Sequence, residues 1–250
     1  MTSRGAALVT GAGRRIGQVL ALEAARAGYD VAIHYRASAD EAEETARAVQ
    51  DLGRRALLVR ADLADEDETR SLVAQAAPLG PLTLLINNAS AFEDDRVGGL
   101  SRATWDRHLE TNLRAPIVLA EAMAGALPAD RHGLVVNLID QRVWRPNPQF
   151  FSYTLSKAGL WWATQTLAQA LAPRIRVNAI GPGPTLPSVH QAPGEFEAEA
   201  AGVLLQRRAS PEEVAAALRY LIDASSVTGQ MIAVDGGQHL GWKTPDIVAP

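Results

Sequence analysis

The sequence predicts an open α/β architecture: a doubly wound parallel sheet with helices on both faces, three layers in a single domain spanning residues 1–250. Short β-rich runs alternate with longer Ala-rich segments of helical period, the pattern of repeated βαβ units. A glycine-rich turn joins the first run to the first helical segment. Polar or glycine-containing stretches follow the ends of later runs, on the edge where open parallel sheets bind ligands.

The elements follow in chain order. Ala-Ala-Leu-Val-Thr at 6–10 is the first strand, and the Ala-rich segment 15–27 after the glycine turn is the first helix. Strand 30–35, helix 39–52 and strand 56–60 continue the alternation. Helix 65–77 opens on Asp65-Glu66-Asp67-Glu68, acids that oppose the positive end of the helix dipole better than they bind a metal. Strand 82–86, a long helix at 101–123, strand 134–139, helix 152–172 and strand 175–180 come next. A Pro-rich stretch from Gly181 to about Gly194 reads as an irregular lid or binding loop. Ser210-Pro211-Glu212-Glu213 then starts helix 211–224 with a polar cap, a proline in the first turn and two acids, and the last strand is 231–234.

Composition narrows the function. Hydrophobic residues at 47% and charged residues at 21% are ordinary for a globular chain. A net charge of -4 leaves no footprint for nucleic acid, although a local basic pocket can still hold a phosphate. With no cysteine there is no disulfide or thiolate chemistry. Met1-Thr2-Ser3-Arg4-Gly5 runs into a strand and not a signal-peptide core, and no apolar run reaches the ~20 residues of a membrane span, so a cytoplasmic location without membrane contact is expected. The five histidines show no ligand spacing, and no metal is expected.

Thr10-Gly11-Ala12-Gly13-Arg14-Arg15-Ile16-Gly17 lies between the first strand and the first helix, where glycines permit a tight turn and a helix N-terminus offers N–H groups to a pyrophosphate, as in a Rossmann-type site. Such a turn alone also serves plain packing. Here Asn87-Asn88-Ala89, Asp140 and Gly181-Pro182-Gly183 stand after the fourth, fifth and sixth strands. Tyr153 and Lys157 are four apart on a predicted helix and share a face, so that a nearby cation favours phenolate and makes the tyrosine a usable acid and base.

Together with Asn112 and Asp235-Gly236-Gly237, these motifs occur in the order found in the short-chain dehydrogenase/reductase family, which the chain resembles over essentially its full length. The resemblance implies that Tyr153 is the catalytic acid, that Lys157 holds the nicotinamide ribose and tunes the tyrosine, and that Asn112 supports a proton-relay water. It also implies cofactor contacts from Gly11, Ile16, Asn88, Ala89, Ser90, Pro182 and Gly183. A homotetramer is the family's expectation, with Trp161 and Trp162 in an interface or in the core.

Two positions depart from the family pattern. Thirteen residues before Tyr153, where that family usually has serine, stands Asp140. An ionised carboxylate repels a developing oxyanion, so a ketone is a poor substrate unless Asp140 is protonated; a ring nitrogen that must gain a proton suits an Asp–Tyr pair. The plainer alternative is that Asp140 caps a turn. Arg15 replaces the middle glycine of the turn, placing a guanidinium where a phosphate or a heterocycle edge can accept it. Both departures, and Asn88-Ala89-Ser90-Ala91-Phe92, resemble the pteridine reductases. That resemblance implies that Phe92 stacks on a pterin-like substrate beside Arg15, Asp140 and Tyr153, its alternative being an ordinary cleft wall. Trp144, Phe150 and Phe151 are candidates for the pocket mouth.

The second strand ends in His34-Tyr35-Arg36, without the carboxylate that NAD-binding chains place on a ribose hydroxyl. Arg36 and Arg14 suit a 2′-phosphate, Asp62 and Leu63 are expected beside the adenine, and the expected cofactor is NADPH. A ketone such as a 3-oxoacyl thioester or a sugar is the second substrate reading, and a non-catalytic NADPH sensor a third.

Overall fold

Seven strands pair in parallel in the order β3-β2-β1-β4-β5-β6-β7 in a computed structural model that describes residues 3–188 and 190–243. Met1, Thr2, Val189 and 244–250 lie outside the described residues, so the readings of the chain start and of one position in the Pro-rich loop are not met there. The strands are β1 Ala6–Val9, β2 Asp30–Tyr35, β3 Ala56–Arg60, β4 Leu82–Asn87, β5 Gly133–Leu138, β6 Ile175–Pro182 and β7 Met231–Val234. The helices are α1 Arg15–Arg26, α2 Ala39–Asp51, α3 Glu66–Ala76, α4 Arg102–Leu109, α5 Ala115–Ala126, α6 Phe151–Leu171, α7 Glu195–Gly202 and α8 Pro211–Asp223.

Strand β1 shows why the central strands are almost wholly apolar. Ala7 and Val9 join the core beneath α1, α2 and α8, whereas Ala6 and Leu8 join the core beneath α3, α5 and α6. Alternate side chains of a strand point to opposite faces, so a sheet covered on both needs apolar residues at every position. Leu20 and Leu218 fill one side and Leu72 and Leu119 the other, all fully buried, and each such leucine contributes roughly 1.5–3 kcal/mol.

The chain winds outward from β1 to β3 and returns to β4 beside β1. That reversal opens a crevice at the carboxyl ends of β1 and β4, where the glycine turn and Asn88 meet. The end of β5 carries Asp140 on to the same edge, and α6 runs past it.

Two expectations are corrected. The single helix over 101–123 is two helices, α4 and α5, joined by a wider π-type turn at Glu110–Arg114. Pro116, in the first turn of α5, has no N–H to donate back along a continuous helix, and the chain widens just before it. The Pro-rich stretch begins later than expected, because β6 extends to Pro182, and it leads into α7, which was not foreseen. Helix α7 is eight residues long and buries only Phe196 and Ala200, too narrow an apolar stripe to read from periodicity. Ser210 caps α8 as the sequence implies, in a full capping box with Glu213, and Asp65 caps α3 by accepting from the Glu68 amide.

Candidate active site

The glycine turn is held by the side chains of Thr10, Asn88 and His34. Thr10 Oγ1 accepts the amides of Asn88 and Ala89, and Asn88 Nδ2 returns bonds to the carbonyls of Thr10 and Gly11 at 2.9 and 3.1 Å. His34, 2% exposed, accepts the Gly11 amide at Nδ1 (3.0 Å) and meets the Ala61 carbonyl with Nε2 at 3.1 Å. Both of its nitrogens brace the turn, and its ring lines the cavity above it. Gly17 is obligatory: a Cβ there would lie 2.0 Å from the Gly11 carbonyl oxygen. Helix α1 starts with no side-chain cap and no acid in its first turn, leaving its N–H groups for an anion such as a pyrophosphate.

A cavity of about 500 Å³ opens over this turn. Gly11, Arg14, Arg15, Ile16, Tyr35, Arg36, Asp62, Leu63, Ala89 and Ser90 line it, as the sequence reading requires of a nucleotide site. Arg36 is exposed and lies 3.9 Å from Asp62, too loose a pair to hold its guanidinium back from a phosphate. Ser38 escaped the sequence reading. It stands before α2 without capping it and lines the cavity beside Arg36, so its hydroxyl is available to the same phosphate. The signal was a hydroxyl two residues beyond Arg36.

The catalytic candidates meet at the end of β5. Tyr153 donates its phenolic hydrogen to Asp140 Oδ2 at 2.9 Å, while Asp140 Oδ1 accepts the Arg142 amide at 2.8 Å. One Asp140 oxygen thus caps a turn while the other faces the phenol. Burial, only partly opposed by Arg142, holds the Asp140 carboxyl above the usual carboxylate range. Burial and the neighbouring carboxylate push the Tyr153 phenol well above 10. This corrects the expectation that Lys157 favours phenolate. Its ammonium donates to the Leu138 carbonyl at 2.8 Å and lies 5.8 Å from the Tyr153 ring, while Asp140 stands at the oxygen itself. Lys157 is 2% exposed, and burial lowers its pKa to about 8. Asn112, in the π-type turn, is fully buried: Oδ1 accepts from the Ala91 amide and Ser90 Oγ, and Nδ2 donates to the Ala91 carbonyl and Ser156 Oγ. That side chain ties the loop after β4 to α6.

A second cavity, about 1010 Å³, adjoins the first and shares Arg14, Arg15, Ile16, Ser90 and Phe92 with it. Asp140, Tyr153, Pro182 and Gly183 line it, so the predicted nucleotide and substrate residues converge on one continuous cleft. Arg15 sits at φ 57°, a left-handed conformation natural to the glycine it replaces, and its Nη2 reaches across to the carbonyls of Leu186 (3.4 Å) and Pro187 (3.0 Å). The Phe92 ring lies 4.7 Å from that of Tyr153, and Phe150 stacks on Phe92 at 4.2 Å and 12°. Phe150 belongs to the pocket; Trp144 does not, packing on Trp161 and His239, and Phe151 lines neither cavity. His190 was also missed as a pocket residue: its Nε2 is 2.8 Å from the Phe92 carbonyl, joining the Pro-rich loop to the aromatic platform. Nothing local in the sequence marks that contact, made across 98 positions. Among the described residues no group of His, Asp and Glu is arranged to hold a metal, and no helix is long and apolar enough to cross a membrane.

Comparison with known proteins agrees with this geometry. A family model described as enoyl-(acyl carrier protein) reductase matches residues 11–239. FolM alternative dihydrofolate reductase 1 of Brucella canis, solved in complex with NADP, is 55% identical with a TM-score of 0.94, covering 99% of each chain. The protein of that name from Brucella suis, also with NADP, has the same identity and score over 99% of this chain and 100% of its own. The 3-oxoacyl-(acyl-carrier-protein) reductase FabG of Staphylococcus epidermidis is 30% identical over 240 residues, 94% of this chain and 98% of that protein.

Proposed function

The chain belongs to the short-chain dehydrogenase/reductase family, and within it we propose an NADPH-dependent reductase that delivers hydride to a C=N bond of a dihydropterin-like heterocycle. The observation that carries this reading is the 2.9 Å bond from Tyr153 to Asp140 in a pocket that raises the proton affinity of both. NADPH, when bound, supplies the hydride. The imine nitrogen then needs a proton. The pair holds one between two oxygens at the end of β5 and is recharged from solvent through the open cleft. A ketone asks for a donor to an oxyanion, beside which an ionised Asp140 is unfavourable.

The other residues take parts consistent with their places. Arg14, Arg36 and Ser38 receive the 2′-phosphate, and the turn at Gly11 with the α1 N-terminus receives the pyrophosphate. Lys157 holds the ribose and, from the Leu138 carbonyl, the end of β5. Arg15 and Phe92 clamp the heterocycle by charge and by stacking. Leu155 and Trp162, the latter 67% exposed, lie on the outer face of α6 and support a homotetramer buried through that helix.

Purified protein with NADPH and dihydrobiopterin or dihydromonapterin tests the proposal, followed by loss of NADPH absorbance. Turnover of the pterins is expected, and the Asp140→Ser variant should lose roughly a hundredfold or more of it. Turnover of a 3-oxoacyl thioester but of no pterin, with Asp140→Ser unimpaired, overturns the reading in favour of the ketone.

A further inference from the structure

Behind the site runs a chain of buried polar groups that the proposed chemistry does not use. His108, fully buried in α4, has Nε2 3.0 Å from the Glu93 amide nitrogen and Nδ1 2.7 Å from Ser152 Oγ. An amide can only donate, so Nε2 is the bare nitrogen and Nδ1–H is the donor to Ser152. The Ser152 hydroxyl in turn donates to Asp95 Oδ2, and Asp95 also accepts the Ser152 amide at 3.0 Å and, on its carbonyl, the Phe151 amide at 3.1 Å. Both imidazole nitrogens and the hydroxyl are satisfied.

The residue types are those of a hydrolytic triad, but the polarity is not. The serine proton goes to the aspartate and not to the histidine, and none of the three side chains lines either cavity. What the chain joins is more telling. Glu93 follows Phe92 directly, and Ser152 precedes Tyr153. The two bonds of one imidazole therefore tie the backbone amide next to the stacking ring to the side chain of the residue next to the acid, and the two rings are 4.7 Å apart.

We propose that His108 is a positioning residue for the reduction, setting the separation of Phe92 from Tyr153 so that a ring laid on the phenylalanine presents its protonated atom to the phenol. This rests on the proposed reading of Phe92 and Tyr153 as substrate contacts. Glu93 and Phe92 also border the nucleotide cavity, but the glycine turn there hangs on other braces, Thr10, Asn88 and His34, so the larger effect falls on the heterocycle. Reactions of this kind lose rate steeply when the reacting atoms are displaced by an ångström.

The test uses His108→Asn and His108→Gln. Asparagine reaches the Nδ1 position and keeps a donor for Ser152 but leaves the Glu93 amide without an acceptor, whereas glutamine reaches the Nε2 position and restores one. The expected result for His108→Asn is a roughly tenfold or greater fall in kcat/KM for dihydropterin, with KM for NADPH within about twofold and faster hydrogen–deuterium exchange in the peptide covering 91–96. His108→Gln should return both readouts toward wild type. If asparagine lowers the melting temperature while leaving pterin kinetics and exchange at 91–96 unchanged, the histidine is merely structural and the inference fails. Should His108→Asn not fold, Ser152→Ala cuts the same chain one link further on and must show the same split. The exchange measurement needs no substrate. A wild-type enzyme inert to pterins therefore refutes the proposed function, while unchanged exchange refutes the positioning role.

Discussion

Acid should loosen the nucleotide turn through His34. Both ring nitrogens are in use in the neutral form, Nδ1 accepting from Gly11 and Nε2 facing the Ala61 carbonyl, and protonation would remove the acceptor. Burial drives the pKa of this histidine from 6.5 down to about 4, against the opposing pull of the Ala61 carbonyl and the Asp62 charge. The folded value lies below the unfolded one, so on acidification the unfolded chain takes up the proton first. The stabilisation is complete above about pH 6.5 and is lost as the pH falls toward 4. A separation of about 2.5 pH units corresponds to about 3 kcal/mol in all, of which about 2 kcal/mol is gone by pH 5. Urea unfolding of wild type and His34→Gln at pH 7.5 and pH 5 isolates it, because every other titration is common to both proteins. The stability gap between them should shrink by about 2 kcal/mol at pH 5, whereas NADPH affinity of the folded wild type should hold at pH 5 and fall only as the pH approaches 4, where the folded His34 takes up its proton. A gap that does not change with pH, or a His34 resonance titrating near 6.5, refutes the reasoning.

Arg15→Gly should leave stability unchanged or raise it by up to about 1 kcal/mol, since the left-handed backbone strain at φ 57° is relieved while glycine loses more entropy on folding. Loss of the ties to Leu186 and Pro187 should nonetheless raise KM for dihydropterin several-fold, and thermal melts beside steady-state kinetics check both halves. Arg36→Ala should raise KM for NADPH roughly tenfold with KM for NADH unmoved, and adding Ser38→Ala should widen that split; equal losses with both nucleotides would remove these residues from the phosphate site.

Legibility followed the range of the interactions. The strands were readable to within two residues because burial on both faces demands apolar runs, as at Leu134-Val135-Val136, and the nucleotide turn because its spacing of glycines answers a local steric demand at Gly17. Helix α7 and the break at Glu110–Arg114 were not readable, since the first buries two side chains and the second depends on how a proline sits against a neighbouring turn. At the site, Asp140, Tyr153 and Lys157 could be named from spacing along a strand and a helix. The hydrogen bonds by which His34 and Asn112 brace their loops could not: their partners Gly11, Ala61, Ala91 and Ser156 are brought to them by the fold.

The correction at Tyr153 bears on the chemistry most directly. A phenolate held by Lys157 would be a base, suited to taking a proton from an alcohol. What the fold provides is a phenol whose oxygen touches a carboxyl, with the ammonium held away on the Leu138 carbonyl. Two acids sharing a hydrogen bond in a buried place do not titrate separately: ionising the first makes it harder to ionise the second, so the pair keeps at least one proton across the neutral range. Asp140 can serve in this pair because its other oxygen is fixed by the Arg142 amide, which orients the carboxyl. A serine at the same position would have one oxygen for both tasks, and its hydroxyl would donate rather than share. The turn cap and the chemistry are thus one device, with the cap aiming the oxygen that the phenol meets.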